Sequence, residues 1–183
     1  MSTISKKICL VGDFGVGKTS LIRRFVDRQF SDQYLSTVGV KISRKTVELG
    51  EVRQQEKLDL QMLIWDVEGS TKFKSIAPTY LQGAKGAIIV ADVTRLETID
   101  RIAEHIEFFL SINPTGYAIA ALNKSDLIEA EKLADLIQTV QTQQFQRFKD
   151  PQRVIAVCAT SAKIGTSVDQ IFLSLAAKMV ELA

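Results

Sequence analysis

Short apolar runs alternate along this chain with longer stretches in which apolar residues recur every three or four positions. Ile8-Cys9-Leu10-Val11, Ala87-Ile88-Ile89-Val90-Ala91, Ala118-Ile119-Ala120-Ala121-Leu122 and Val154-Ile155-Ala156-Val157-Cys158 are continuous, the pattern of strands buried on both faces. Leu21, Ile22 and Phe25 have helical spacing, as do Ile99, Ile102, Ala103, Ile106, Phe109 and Leu110. So do Leu133, Leu136, Ile137 and Val140, and finally Val168, Ile171, Phe172, Leu175 and Met179. Phe73, Ile76, Ala77, Tyr80 and Leu81 repeat that spacing, but Pro78 among them predicts a helix that is broken or starts late. Val38, Val40 and Ile42 alternate like a half-exposed edge strand, and Val47 to Leu49 continues it. After the polar turn Gly50 to Lys57, Leu58, Leu60, Met62 and Ile64 alternate on the way back. Strands separated by helices require right-handed crossovers and a mainly parallel sheet covered on both faces. The expectation is an α/β, three-layer, six-stranded fold with one antiparallel edge strand, as a single domain over residues 1–183. Ligands on such sheets bind beyond the carboxyl ends of the strands.

Composition narrows the function classes. The chain has 183 residues, 46% of them hydrophobic, and 23 Lys plus Arg against 21 Asp plus Glu leave a net charge of +2. Bulk charge therefore argues for neither nucleic acid nor a membrane surface, and a monomer that recognises partners by shape is expected. Cys9 and Cys158 stand in apolar runs without a disulfide framework, which points to a reducing compartment. The first residues lack a leader-like apolar core, and no stretch approaches a membrane span. Ser2 stands where myristoylation needs glycine, and Met179-Val180-Glu181-Leu182-Ala183 carries no cysteine, so no intrinsic lipid anchor is expected and the location is read as cytoplasmic. His105 falls on the polar side of its predicted helix and reads as a solvated residue.

The chemistry begins at Gly12-Asp13-Phe14-Gly15-Val16-Gly17-Lys18-Thr19, which fits the phosphate-binding P-loop pattern between a predicted strand and a predicted helix. Glycines let successive backbone N–H groups turn toward one anionic centre, and the helix start adds its own unpaired N–H groups. In such a loop Lys18 would reach the β- and γ-phosphates as a point charge, and the Thr19 hydroxyl would ligate a bridging magnesium ion. A P-loop alone leaves ATP, GTP and small-molecule kinases open. Asn123-Lys124-Ser125-Asp126 directly follows a predicted strand, and an aspartate there accepts from both N–H groups on the guanine edge, which adenine does not offer. The competing reading makes Asp126 a helix N-cap. Ser161-Ala162-Lys163, after the last strand, can add a backbone N–H to the guanine oxygen.

With these motifs, Thr37-Val38-Gly39 and Trp65-Asp66-x-x-Gly69 included, the chain resembles the Ras-like small GTPases over nearly its whole length, the Rab branch most closely. The resemblance implies the P-loop NTPase (small G-protein) fold, GTP and GDP binding with Mg2+, and GTP hydrolysis, which departures at Phe14, Glu68 and Ser70 are expected to make slow. It also implies effector, exchange-factor and GTPase-activating partners at two switch segments. It places Phe14, Gly15, Val16, Gly17, Lys18, Thr19 and Ser20 on the nucleotide, with Asn123, Lys124, Asp126, Ser161, Ala162 and Lys163 around the base. Phe30 resembles the ring that packs on guanine, Lys124 the lysine whose stem covers it, and Tyr34 the tyrosine that closes over the phosphates. Thr37 resembles the switch I threonine that joins Thr19 and Asp66 at the metal, and Gly69 the switch II glycine whose N–H meets the γ-phosphate. Lys18, Thr37, Gly69 and Ser70 thereby fall at the transferring phosphoryl group.

Three departures bear on catalysis. Val67-Glu68-Gly69-Ser70 replaces the usual Thr-Ala-Gly-Gln, so Ser70 stands for the water-orienting glutamine. Glu68 opposes closure around GTP if it points inward and is harmless if it points outward. Phe14 occupies a position that is small in most relatives. The segment Gly50 to Lys57 also lengthens the interval between Thr37 and Asp66, predicting a protruding hairpin. An alternative reading is a guanine-nucleotide-binding scaffold that hydrolyses negligibly; a P-loop kinase or ATPase conflicts with Asp126.

Overall fold

In a computed structural model, residues 2–33, 36–49, 58–69, 77–145, 148 and 150–181 are described. The strands are β1 (Ser2–Val11), β2 (Val40–Glu48), β3 (Leu58–Val67), β4 (Gly86–Asp92), β5 (Tyr117–Asn123) and β6 (Val154–Ala159). They form one sheet in the order β2-β3-β1-β4-β5-β6. β2 runs antiparallel to β3, and every other neighbouring pair is parallel. This is the expected six-stranded sheet with an antiparallel edge. Lys41, Arg44, Lys45 and Glu48 line that edge, and such charges discourage pairing with another chain.

The helices are α1 (Lys18–Asp27), α2 (Ala77–Leu81), α3 (Leu96–Asp100), α4 (Ile102–Ile112), α5 (Ala130–Thr139) and α6 (Val168–Val180). Alternation along β1 divides the core: Ile8 and Leu10 face α1 and α6, whereas Cys9 and Val11 face α2, α3, α4 and α5. β4 and β5 are buried at every residue because both faces are covered, which is why they read as continuous apolar runs. On the first face, Phe25 of α1 and Phe172 of α6 stack with ring centroids 4.1 Å apart. Burying either ring contributes roughly 1.5–3 kcal/mol, so this contact fixes α1, and with it the P-loop, against the sheet.

Several expectations need correction. Val38 precedes β2 and is 86% exposed, and Ile42 on β2 is 50% exposed, so of the Val38, Val40 and Ile42 set only Val40 packs on the core. The helix drawn from Ile99 to Leu110 is two helices, because Arg101 adopts φ −89°, ψ −2° between α3 and α4. α5 ends in a π-helical turn, Val140–Gln144, that brings Val140 into the core. Pro78 lies in the first turn of α2, where its missing N–H leaves no bond unmade, while Phe73 and Ile76 lie outside the described residues. The Gly50–Lys57 segment is outside them too. Its flanks pair up to Glu48 and Asp59, and Leu49 N–H donates to Leu58 O at 3.1 Å. Cys158 is only half-buried, and both thiols are free. Burial pushes the Cys9 thiol up to about 12 and raises that of Cys158, which makes both poor nucleophiles.

Candidate functional site

The ends of β1, β3, β5 and β6 converge on a cleft of about 350 Å³. The end of it that holds the P-loop is built by the turn from β1 into α1. Gly17 has φ +99°, which few side chains tolerate, and the Asn123 side-chain amide fills the place where a Cβ would stand. Lys18 opens α1 almost fully buried, and its Nζ donates to Gly12 O and Asp13 O, both at 2.8 Å. Burial lowers this ammonium to about 8, against the opposing pull of Asp66, Asp13 and Glu68.

One turn away the side chains expected at the metal meet. Thr19 Oγ1 donates to Asp66 Oδ2 at 2.5 Å and lies 2.7 Å from Thr37 Oγ1, which itself donates to Asp66 Oδ2 at 3.2 Å. Asp66 Oδ1 is buried without a hydrogen-bond partner among the described residues, and burial raises this carboxyl despite the hydroxyl bonds. An orphaned carboxylate oxygen beside two hydroxyls is an all-oxygen donor set, the chemistry of a hard cation such as magnesium. One carboxylate suffices where phosphates complete the shell, and no cluster of three His, Cys, Asp or Glu stands among the described residues.

At the other end, Lys124 leaves β5 in the left-handed region (φ +64°) and Asp126 follows in a tight turn, Ser125–Leu127. Asp126 Oδ1 accepts from Ser161 Oγ at 2.6 Å, which ties the β5 and β6 loops together. The N-cap alternative for Asp126 does not hold, because α5 begins four residues later behind Glu129. Asn123 is buried: its Nδ2 donates to Val16 O at 2.9 Å, while its Oδ1 accepts from Thr160 Oγ1 and from Ala162 N–H, each at 3.3 Å. It therefore holds the P-loop against the β6 loop. Phe30, Lys124, Asp126, Ala162 and Lys163 line this end of the cleft, and Phe14, Gly15, Gly17, Lys18, Thr19, Ser20, Thr37 and Gly69 line the other. Tyr34 and Ser70 lie outside the described residues.

The Ras family model matches residues 7–181, most of the chain. The chain belongs to the Ras family. It is 31% identical over 175 residues to the GTP-binding protein ypt4 of Schizosaccharomyces pombe, covering 95% of this chain and 71% of that protein. It is 35% identical over 171 residues to Ras-related protein Rab-1C of Dictyostelium discoideum, covering 93% and 78%. With human Ras-related protein Rab-22A the identity is 32% over 174 residues, covering 94% and 82%. These matches make it a Rab-like small GTPase.

In this small GTPase Glu68, Gly69 and Phe14 have defined places. Glu68 turns toward switch I: its N–H donates to Gly39 O at 3.0 Å and its Oε2 accepts from Gly39 N–H at 2.8 Å. Gly69 lies so close to the P-loop that a Cβ would meet Asp13 C and O at 2.6 Å and Gly12 O at 2.7 Å, so only glycine fits there unchanged. Phe14 is 50% exposed at the mouth of the cleft.

Other residues of the site escaped the motif reading. Asp92 ends β4 fully buried and accepts from Lys124 Nζ at 2.5 Å and from Thr94 N–H and Oγ1 at 2.9 and 2.7 Å. Burial pushes this carboxyl up, but the Lys124 and Thr94 bonds outweigh it and hold it below the usual range. The signal was a carboxylate ending an apolar strand at the ligand edge of the sheet. Arg24 of α1 donates through Nε to Ala162 O at 2.7 Å and through Nη2 to Lys163 O, bracing the β6 loop. The P-loop is also held from α3 and α4. Arg95 Nη1 donates to Phe14 O at 2.8 Å, Arg101 Nη1 donates to Asp13 Oδ2 at 3.1 Å, and His105 Nε2 lies 3.2 Å from Asp13 Oδ1. His105 is thus not a solvated face residue: its ring packs on the P-loop beside Asp13 while Glu104, Glu107 and Ser111 of the same helix stay exposed, and burial lowers the His105 pKa more than Asp13 raises it. Among the described residues, no helix is long and apolar enough to cross a membrane.

Proposed function

We propose that this chain is a guanine-nucleotide switch that binds GTP and GDP with magnesium, hydrolyses GTP slowly, and offers different switch surfaces to partners in the two states. The observation that carries the reading is the joint placement of Lys18, Thr19, Thr37 and Asp66 at one end of a cleft and Asp126, Ser161 and Ala162 at the other.

Lys18 and the P-loop N–H groups bind and orient the phosphates. Asp126, held by Ser161, accepts from the guanine edge, and adenine would leave that carboxylate unpaired at a loss of roughly 1.5–3 kcal/mol per bond. Phe30 and the Lys124 stem flank the base, and the bond to Asp92 fixes where Lys124 stands. Thr19, Thr37 and Asp66 would hold magnesium, which when bound neutralises phosphate charge. Gly69, pressed on the P-loop, presents its N–H to the γ-phosphate. The Ser70 hydroxyl is too short to orient water as glutamine does without movement of the backbone, and Phe14 narrows the way in for an activator's arginine.

The relatives' names, GTP-binding and Ras-related, support the nucleotide and leave effectors and exchange factors to be found. A second reading, a nucleotide-holding scaffold without useful hydrolysis, is favoured by Ser70 and by the tie between Glu68 and Gly39. Nucleotide extracted from the purified protein and phosphate release on mixing with GTP test both. Bound guanine nucleotide with slow release supports the switch, bound nucleotide without release supports the scaffold, and equal displacement by ATP contradicts either.

A further inference from the structure

We propose that Glu68 is a positioning residue that latches switch I to switch II through the Gly39 amide, keeping Thr37 beside Thr19 and Asp66 whichever guanine nucleotide is bound. The consequence for the two nucleotide states rests on the function proposed above; the latch itself does not.

Both backbone polar groups of Gly39 are engaged by one residue, its N–H by Glu68 Oε2 at 2.8 Å and its carbonyl by Glu68 N–H at 3.0 Å. The pairing of Val40 with Val67 is the last rung of the β2–β3 ladder, and this exchange adds one more rung beyond it. Gly39 has φ +74° and has left strand geometry, and a side-chain carboxylate supplies the acceptor for its N–H. Two residues upstream, Thr37 Oγ1 sits 2.7 Å from Thr19 Oγ1 and 3.2 Å from Asp66 Oδ2. Holding Gly39 restricts how far Thr37 can move from that cluster. A bond to an ionised acceptor is among the stronger hydrogen bonds.

A ligand shifts a two-state segment only by the difference in its affinity for the two states. A restraint carried by the chain in both nucleotide states therefore reduces the contrast that the γ-phosphate imposes on switch I. The same carboxylate lies close enough to Lys18 to favour its charged form.

The test is amide exchange of Gly39 by NMR in the full chain, for wild type, Glu68→Ala and Glu68→Gln, each nucleotide-free, with GDP·Mg2+ and with a non-hydrolysable GTP analogue. Glutamine keeps an acceptor oxygen and removes the charge. In the wild type, Gly39 protection should be nearly equal with GDP and with the analogue. Glu68→Ala should lose on the order of tenfold protection with GDP and recover it with the analogue, and Glu68→Gln should retain most of it with either nucleotide. Wild-type protection that appears only with the analogue, or Glu68→Gln behaving like Glu68→Ala, overturns the latch; should Glu68→Ala not fold, the other two proteins decide. Failure of the nucleotide reading is separate: it leaves the amides of Gly15 and Gly17 unmoved by any nucleotide, and Gly39 exchange in the ligand-free proteins then decides the latch.

Discussion

At the base end of the cleft, polar side chains bond one another across three loops; at the phosphate end, they crowd around a carboxylate oxygen that has no partner among the described residues. Asn123 ties Val16 to Ala162, Ser161 ties Asp126, and Asp92 ties Lys124, so this end is preorganised by bonds the chain makes to itself. Across the cleft, the orphaned oxygen of Asp66 and the buried Lys18 carry desolvation that a cation and phosphates would relieve. The base end should therefore tolerate a change of nucleotide state without moving. Under the proposed function the phosphate end registers nucleotide state, and it is the motifs of that end that carry the three unusual residues Phe14, Glu68 and Ser70.

The largest effect should come from breaking the base end. Asp126→Asn exchanges an acceptor for a donor and should weaken GTP and GDP alike by roughly 10²- to 10⁴-fold, from two lost charge-assisted bonds, while improving xanthine nucleotides. Competition binding measures this, and an effect confined to GTP would mean that the two ends are not separable as described. Next comes Gly69→Ala. Its Cβ would stand 2.6 Å from the Asp13 backbone, so switch II must retreat, and affinity for a GTP analogue should fall by roughly tenfold or more with GDP affected less. Thr19→Asn should show the same asymmetry, because its hydroxyl serves the metal bridge to the γ-phosphate. Titration calorimetry with both nucleotides checks the two variants, and equal losses would count against the assigned roles.

A smaller, pH-dependent effect belongs to Asp92. Its carboxyl is held below the usual value of 3.8, so its contribution to stability is fully present above that value and fades as pH falls through the lower folded value. Asp92→Asn should cost on the order of 1–3 kcal/mol at neutral pH, with the gap to wild type closing below pH 4. Denaturant titrations across that range measure it, and a gap that does not vary with pH would show that the Lys124 pair is not its source.

Much of this was legible in the chain because it is local. The apolar runs gave β1, β4, β5 and β6, and the P-loop and the Asn123–Asp126 turn lie where such strands end. What could not be read depends on residues far apart in sequence. His105 and Asp13 are 92 positions apart, so a helix wheel for α4 showed its polar side but not that the P-loop reaches His105 on it. Arg24 and Ala162 are separated by 138 positions, and a basic residue on α1 reads as solvated until the β6 loop is laid beside it. The orientation of Glu68 was open for the same reason: its partner, Gly39, lies across the β2–β3 pairing. The exposure of Val38 and Ile42 was missed because an edge strand buries little, and apolar alternation there does not say which residues the core takes.

Single-turnover hydrolysis of bound GTP separates tight nucleotide recognition from water positioning by the short Ser70 hydroxyl. With magnesium present and the nucleotide fully bound, wild type should hydrolyse GTP more slowly than small GTPases that carry glutamine after the switch II glycine. Ser70→Gln should raise the rate in part, and Ser70→Gln with Phe14→Gly should raise it further, by roughly tenfold in all. Wild-type hydrolysis as fast as that of glutamine-bearing relatives, or no gain in the double variant, would contradict the account and place the catalytic group elsewhere in the chain.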